Sequence, residues 1–157
     1  MRLIDFINKG AICMDLKSND KTAMLYELVD ILLGSREIKN DNGNREKLFN
    51  ILYKREKLGS TGIGNGVAIP HGKSDLVKNI TIAIGISRKG IDFNAIDGKK
   101  TRIFSLLIAP PSSEAPHLRA LARISRIFKN KTFRHVLMNA KSSEDIMSLI
   151  ATEEEAL

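Results

Sequence analysis

Apolar residues recur at helical spacing in two early stretches. Met24, Leu25, Leu28, Ile31 and Leu32 follow Ser18, Asn19 and Asp20, any of which can cap a helix start, and Gly34 can end it. The spacing predicts a helix over 20–34. Leu48, Phe49, Leu52 and Tyr53 mark one side of a second helix over 45–58, with Gly59 where a left-handed cap falls. Asn40 to Asn44, between the two, reads as a polar turn.

The pattern then changes. Val67 to Ile69, Ile80 to Ile86 and Ile103 to Ile108 are short, rich in β-branched residues and bounded by glycine, proline or charged turns, as buried strands are. Asp97, Gly98 and Lys99 mark the turn before the last of them. After Pro110 and Pro111 the helical spacing returns in three sets: Leu118, Leu121, Ala122, Ser125 and Phe128; Phe133, Val136 and Leu137; Ile146, Leu149 and Ile150. Ser142 with Asp145 resembles a capping box. Helices on both sides of a block of strands predict an α/β domain in which a mixed β-sheet is flanked by helices on both faces. No repeat, linker or low-complexity segment interrupts it, so residues 1–157 are expected to form a single domain.

Composition narrows the class. The chain is 43% hydrophobic and 27% charged over 157 residues, as ordinary globular domains are. The longest near-apolar stretches, Ile80 to Ile86 and Ile103 to Pro110, fall short of the roughly 18 residues a membrane helix needs. Asp5, Asn8 and Lys9 break up what would be the apolar part of an export signal, so a cytoplasmic location is the default expectation. The single cysteine, Cys13, excludes an intrachain disulfide and a Cys-type zinc site. A formal charge of +7 favours acidic or phosphorylated partners.

Candidate chemistry concentrates in Gly59-Ser-Thr-Gly-Ile-Gly-Asn-Gly-Val-Ala-Ile-Pro-His-Gly-Lys73, where five of fifteen residues are glycine. Such a loop can turn its N–H groups inward to hold an anion. It is neither of two familiar phosphate motifs. Five residues, not four, separate Gly66 from Gly72, and Pro70 lacks a donor. Gly62-Ile-Gly64 is followed by Val67 where a dinucleotide fingerprint needs a third glycine.

His71 follows a predicted strand and sits between Pro70 and Gly72, whose small size leaves the imidazole open to a large partner. A neutral imidazole can attack phosphorus through one nitrogen while the other is fixed by a hydrogen bond. It is equally a loop histidine without a role. His117 follows Pro116 at a predicted helix start, where N–H groups and the dipole favour a phosphoryl group; it also reads as an ordinary helix-start residue. His135, beside Arg134, reads as exposed and inert. Arg55 occupies the last turn of the second helix, from where its guanidinium can reach an anion or merely complement the helix dipole. Ser60 and Thr61 offer hydroxyls at the loop entrance and are also common turn formers.

Arg55-Glu56, the glycine-rich run through His71-Gly72, and Pro116-His117-Leu118 together strongly resemble the enzyme IIA domain of the bacterial phosphotransferase system. The likeness is to the fructose and mannitol class, which includes nitrogen-regulatory members, and runs from Leu3-Ile-Asp through the last helices. The resemblance implies a phosphoryl carrier. In it His71 accepts phosphate, through Nε2, from phosphorylated HPr or a nitrogen-branch paralogue, while His117 and Arg55 hold the phosphoryl oxygens. Ser60, Thr61, Gly62, Gly64, Asn65 and Gly66 would then support the site. The acceptor would be a IIB domain or a regulated target protein, and neither metal nor cofactor is needed, since in-line transfer demands mainly positioning and electrostatic stabilisation. The Gly-Ser-Thr-Gly-Ile-Gly-Asn-Gly form looks closest to the nitrogen-regulatory branch; a sugar-transport IIA passing phosphate to a separate IIB is the alternative. A phosphorylatable IIB cysteine and a membrane IIC domain do not fit within 157 residues. Exposed apolar residues such as Ile63 and Val67 are expected to dock the donor.

A different class of function is raised by Arg119, Arg123, Arg126, Lys129, Lys131 and Arg134, which occur with no acidic residue among them. Arg119, Arg123 and Arg126 share a helical face, which can be a solvated surface, a dock for an acidic partner or a phosphate-tracking surface for nucleic acid. With 5% aromatic residues and no nucleic-acid-binding signature, the last is disfavoured. A hydrolase using Ser60 or Ser74 with His71 lacks a nucleophile elbow and an orienting Asp. His71, His117 and His135 are too dispersed in sequence for a metal site.

Overall fold

The computed structural model describes residues 1–35, Ile38 and 43–157. A 3₁₀ turn (Leu3–Phe6) leads into β1 (Ile7–Cys13), followed by α1 (Lys21–Gly34), α2 (Asn44–Lys57), β2 (Gly62–Gly64), β3 (Val67–Ala68), β4 (His71–Lys73), β5 (Thr81–Ile91) and β6 (Thr101–Ala109). α3 (Glu114–Phe128), α4 (Lys131–Met138) and α5 (Ser143–Glu155) complete the chain. Asp20 caps α1 by accepting from the Ala23 N–H, so the sequence placed this helix within a residue. The polar turn read at Asn40 to Asn44 lies mostly outside the described residues; Asn44 itself begins α2. Gly59 accompanies the end of α2 as expected, but its φ is 154°, far from the left-handed helical value of about 57°. Ser142 accepts from the Asp145 N–H, while the Asp145 carboxylate turns to the Lys141 N–H, one residue short of a reciprocal box.

The sheet order is β1-β5-β6-β3-β2, with β4 also on β6. β1 runs parallel to β5, β5 antiparallel to β6, and β3 and β4 both parallel to β6. Alternation along the central strands feeds two cores. Ile82, Ile84 and Ile86 with Ile103 and Leu107 pack beneath α3, α4 and α5. Ala83, Phe104, Leu106 and Ile108 face α1 and α2. The mixed sheet is therefore covered on both faces, as the sequence pattern indicated.

β3 and β4 are two pieces of one line. Val67 pairs with Ile103 and His71 with Leu107, the same register, and only Ile69-Pro70 interrupts it. The Ile69 N–H turns away to the Thr61 carbonyl (3.0 Å) and Pro70 has no N–H, although its carbonyl still accepts from Leu107 (2.9 Å). His71 thus opens a strand held in register on the buried β6, whereas the sequence pattern predicts a loop there.

Candidate active site

His71 is half-buried, and its Nδ1 lies 2.8 Å from the carbonyl of Ile69, two residues back in the chain. A carbonyl only accepts, so Nδ1 carries the proton and Nε2 keeps its lone pair. Desolvation holds the imidazole below the ordinary histidine range; the Ile69 contact opposes this, and the positive charge of Arg55 adds to it. Neutral His71 with an available Nε2 is a competent nucleophile at neutral pH.

His117 is buried, at 5% exposure. Its ring meets that of His71 edge to face, with centroids 5.7 Å apart and planes at 76°. Burial, the neighbouring His71 and the Lys73 ammonium lower its proton affinity, with Glu114 opposing. Among the described residues, its Nε2 is one of three buried side-chain polar atoms without a hydrogen-bond partner. The expectation that His117 opens a helix is corrected: α3 begins at Glu114, and the His117 N–H is already bonded to the Ser113 carbonyl (2.9 Å). What His117 offers an anion is its ring, not a free backbone donor.

Arg55, in the last turn of α2, donates from Nη1 to the Gly59 carbonyl (2.8 Å). Gly72 explains how α2 approaches the strand so closely, since a Cβ there would lie 2.4 Å from Ile51 Cγ2. The guanidinium is near enough for its charge to act on His71.

The glycine-rich segment is a braced hairpin, and this revises the reading of its N–H groups as an open cradle. Gly64, Asn65 and Gly66 turn the chain with φ of 91°, 57° and 77°. The Asn65 N–H donates to Asp97 Oδ2 (3.0 Å), the Gly62 N–H to Ser60 Oγ (3.0 Å), and Ser60 Oγ to the Phe93 carbonyl (2.8 Å). The Thr61 N–H and hydroxyl both donate to Glu56, whose buried carboxylate also receives Lys21 Nζ at 3.0 Å. Donors already committed to protein acceptors build the wall of a site; they do not hold its ligand. Of the two apolar docking candidates, Ile63 is 37% exposed, whereas Val67 is 1% exposed and belongs to the core.

Two residues beside the site have no role in the sequence reading. Glu56, part of the Arg55-Glu56 motif but given no role by it, fastens the loop entrance to α1. Lys73 shares a face with His71 only because residues 71–73 form a strand, which the loop reading does not predict. The basic stripe is divided: Arg123 Nε pairs with Glu154 Oε2 (2.7 Å) and Arg134 Nη1 donates to the Phe128 carbonyl (2.7 Å). Arg119, Arg126, Lys129 and Lys131 are exposed, as is His135.

Two imidazoles and a guanidinium on an α/β frame suit a protein that handles phosphoryl groups. The chain belongs to the family described as phosphoenolpyruvate-dependent sugar phosphotransferase system, EIIA 2, whose model matches residues 5–153. It is 34% identical over 151 residues to a nitrogen regulatory protein of Bradyrhizobium diazoefficiens, covering 96% of this chain and 95% of that protein. It is 31% identical over 150 residues to the fructose-specific EIIABC component of the phosphotransferase system of Bacillus subtilis, covering 96% of this chain but only 23% of that protein. The crystal structure of the nitrogen regulatory protein IIA-Ntr from Neisseria meningitidis superposes with a TM-score of 0.86 at 32% identity, covering 94% of this chain and 98% of that one. The protein is thus a IIA domain of the phosphotransferase system, a phosphoryl-transfer component with both regulatory and sugar-specific relatives. No helix among the described residues is long and apolar enough to cross a membrane.

Proposed function

We propose that the single domain spanning residues 1–157 carries a phosphoryl group on Nε2 of His71 and serves as a nitrogen or metabolic regulatory IIA. The observation that carries this is the Nδ1 contact with the Ile69 carbonyl, which fixes the tautomer and aims the lone pair at Nε2. The donor is phosphorylated HPr or its nitrogen-branch paralogue. As its N–P bond breaks, the Nε2–P bond forms, and the phosphoryl group passes over in line. His117 and Arg55 receive its equatorial oxygens, while Ser60, Thr61, Gly62, Gly64, Asn65 and Gly66 support the site as a rigid wall. Depressed proton affinity keeps His71 unprotonated for attack; the unpartnered His117 Nε2 gains a partner when the phosphoryl oxygens arrive. Neither a metal nor a cofactor takes part, and the place of action is the cytoplasm.

Likeness to nitrogen regulatory chains supports the regulatory role, with a regulated target protein as recipient. The 31% identity to a fructose-specific component supports a second reading, in which phosphate passes to a IIB domain during sugar transport. The test is to incubate the purified protein with phosphoenolpyruvate, enzyme I and either HPr or the paralogue, and to map any acid-labile phosphoryl group by mass spectrometry. Labelling of His71 is the expected result, with faster labelling by the paralogue in the regulatory case and by HPr in the transport case. A folded protein that neither donor labels would overturn the proposal.

A further inference from the structure

The side of β4 that carries His71 carries a second functional group. Residues two apart in a strand share a face, so Lys73 stands about 7 Å along from His71. Gly72 between them points instead at Ile51 of α2. Lys73 Nζ lies 3.7 Å from Glu114 Oε1 at the start of α3, beyond hydrogen-bond range. Both side chains are substantially exposed, at 41% and 75%, so the ion pair is weak and the lysine stem is free to swing. Its ammonium is also close enough to act on His117, whose ring meets that of His71 edge to face.

Resting on the reading of His71 as the phosphorylated residue, we propose that Lys73 is a further contact for the phosphoryl group, a second cation beside Arg55, held in reserve by Glu114. Before transfer, Glu114 is the only carboxylate within 4.0 Å of Lys73 Nζ among the described residues. A phosphoryl group on His71 brings up to two negative charges to the same face. The ammonium then exchanges a single, well-hydrated carboxylate for a dianion flanked by His117 and Arg55. Glu114 is left unpaired near like charge and opposes the loaded state. Glu114 and Lys73 therefore act in opposite directions on the same equilibrium: Lys73 favours the phosphorylated form and Glu114 disfavours it.

The experiment loads the protein with phosphoramidate, a small donor that needs no docking partner, and follows the phosphohistidine by phosphorus NMR. The titratable and charged groups around the phosphoryl group are Arg55, Glu56, His117, Lys73 and Glu114, and its own second ionisation reports on them. In the Lys73→Met variant this ionisation should move up by roughly half a unit, since a lost cation disfavours the dianion. In Glu114→Gln it should move down by a similar amount, and in Lys73→Arg it should stay near the wild-type value. Loading of Lys73→Met should also slow by about threefold to tenfold. A merely structural lysine would leave the phosphorus titration unchanged, so coincident titrations of wild type, Lys73→Met and Glu114→Gln would overturn this inference while leaving the role of His71 intact. If wild-type His71 takes label neither from phosphoramidate nor from the phosphorylated carrier protein used in its place, the phosphocarrier reading falls and this inference falls with it.

Discussion

His71 and His117 meet edge to face, 5.7 Å between ring centroids, one ring tied to its own backbone and the other with a buried nitrogen that none of the described residues satisfies. The two imidazoles are therefore unequal. His71 has the fixed tautomer and the exposure of a nucleophile; His117 has the burial of a group that waits for an acceptor. Replacing His71 with alanine should abolish phosphoryl uptake entirely. His117→Ala should still be labelled, though slowly, while onward transfer drops by about a hundredfold, the scale of one lost oxyanion donor. A two-step relay assay separates the phases, and an unchanged relay in His117→Ala would remove that residue from the site.

Acid should weaken the fold through the same pair. Burial keeps both imidazoles below the ordinary histidine range, so the unfolded chain binds protons more readily than the folded one. The stability this contributes is complete above the ordinary value of about 6.5 and is lost as pH falls from there through the depressed folded values. Thermal unfolding followed from about pH 8 to about pH 5.5 should show Tm falling, and falling less in a His71→Gln, His117→Gln double variant. Equal slopes in the two proteins would assign the acid sensitivity to other groups.

Glu56 predicts a large penalty at one position. Its buried carboxylate accepts from the Thr61 N–H and hydroxyl and from Lys21, whose ammonium also lies 4.6 Å from the centre of the Phe93 ring. Glu56→Ala strands the donors of Thr61 and leaves Lys21 without its anion, a loss of about 2–4 kcal/mol. Urea unfolding measures it. A variant within about 0.5 kcal/mol of wild type would mean that water replaces the carboxylate at the loop entrance.

The residues themselves show why some of this was legible in sequence and some was not. Helices α1 and α2 and the cores of β5 and β6 carry their periodicity openly. β1 escaped because its register slips between Ile7 and Ile12, so that Ile7 serves the core under α3–α5 and Ala11 the core under α1 and α2. β5 runs on past Ile86 to Ile91 through a second irregularity, turned at Gly90 with a φ of 74°. Within the site, His71, His117 and Arg55 stood out by motif. The role of Glu56 depends on Lys21, which is 35 residues away in sequence and near only after folding.

Two glycines near the site should respond differently to the same added methyl group. At Gly72 a Cβ meets the Ile51 side chain at 2.4 Å, and at Gly62 it meets the Ala95 Cα at 2.8 Å. A side chain can move aside; a backbone atom held by the Ile96 N–H bond to the Gly62 carbonyl (3.0 Å) yields less. Gly72→Ala should cost about 1–3 kcal/mol and recover most of it when combined with Ile51→Ala. Gly62→Ala should cost more, with no such rescue. Denaturation of the three variants decides, and rescue failing at Gly72 would show that α2 itself, not one side chain, sets the approach.

Arg123 separates structure from surface along the basic stripe. Glu154, 3% exposed in its side chain, accepts from the Leu3 N–H (2.8 Å), the Ile4 N–H (3.2 Å) and Arg123 Nε (2.7 Å), tying the N-terminal turn to α5 and α3. Arg123→Ala leaves a buried carboxylate with two backbone donors and no countercharge, so about 2 kcal/mol of stability should go, part of it returning in Arg123→Ala, Glu154→Gln. Arg119→Ala and Arg126→Ala, exposed and outside any ion pair among the described residues, should each stay within about 0.5 kcal/mol of wild type. If the stripe tracked nucleic acid, losing Arg119 or Arg126 would lower the salt slope of filter binding by about one each. The structure instead takes Arg123 out of that stripe and makes it the countercharge that lets Glu154 hold the chain's first turn in place.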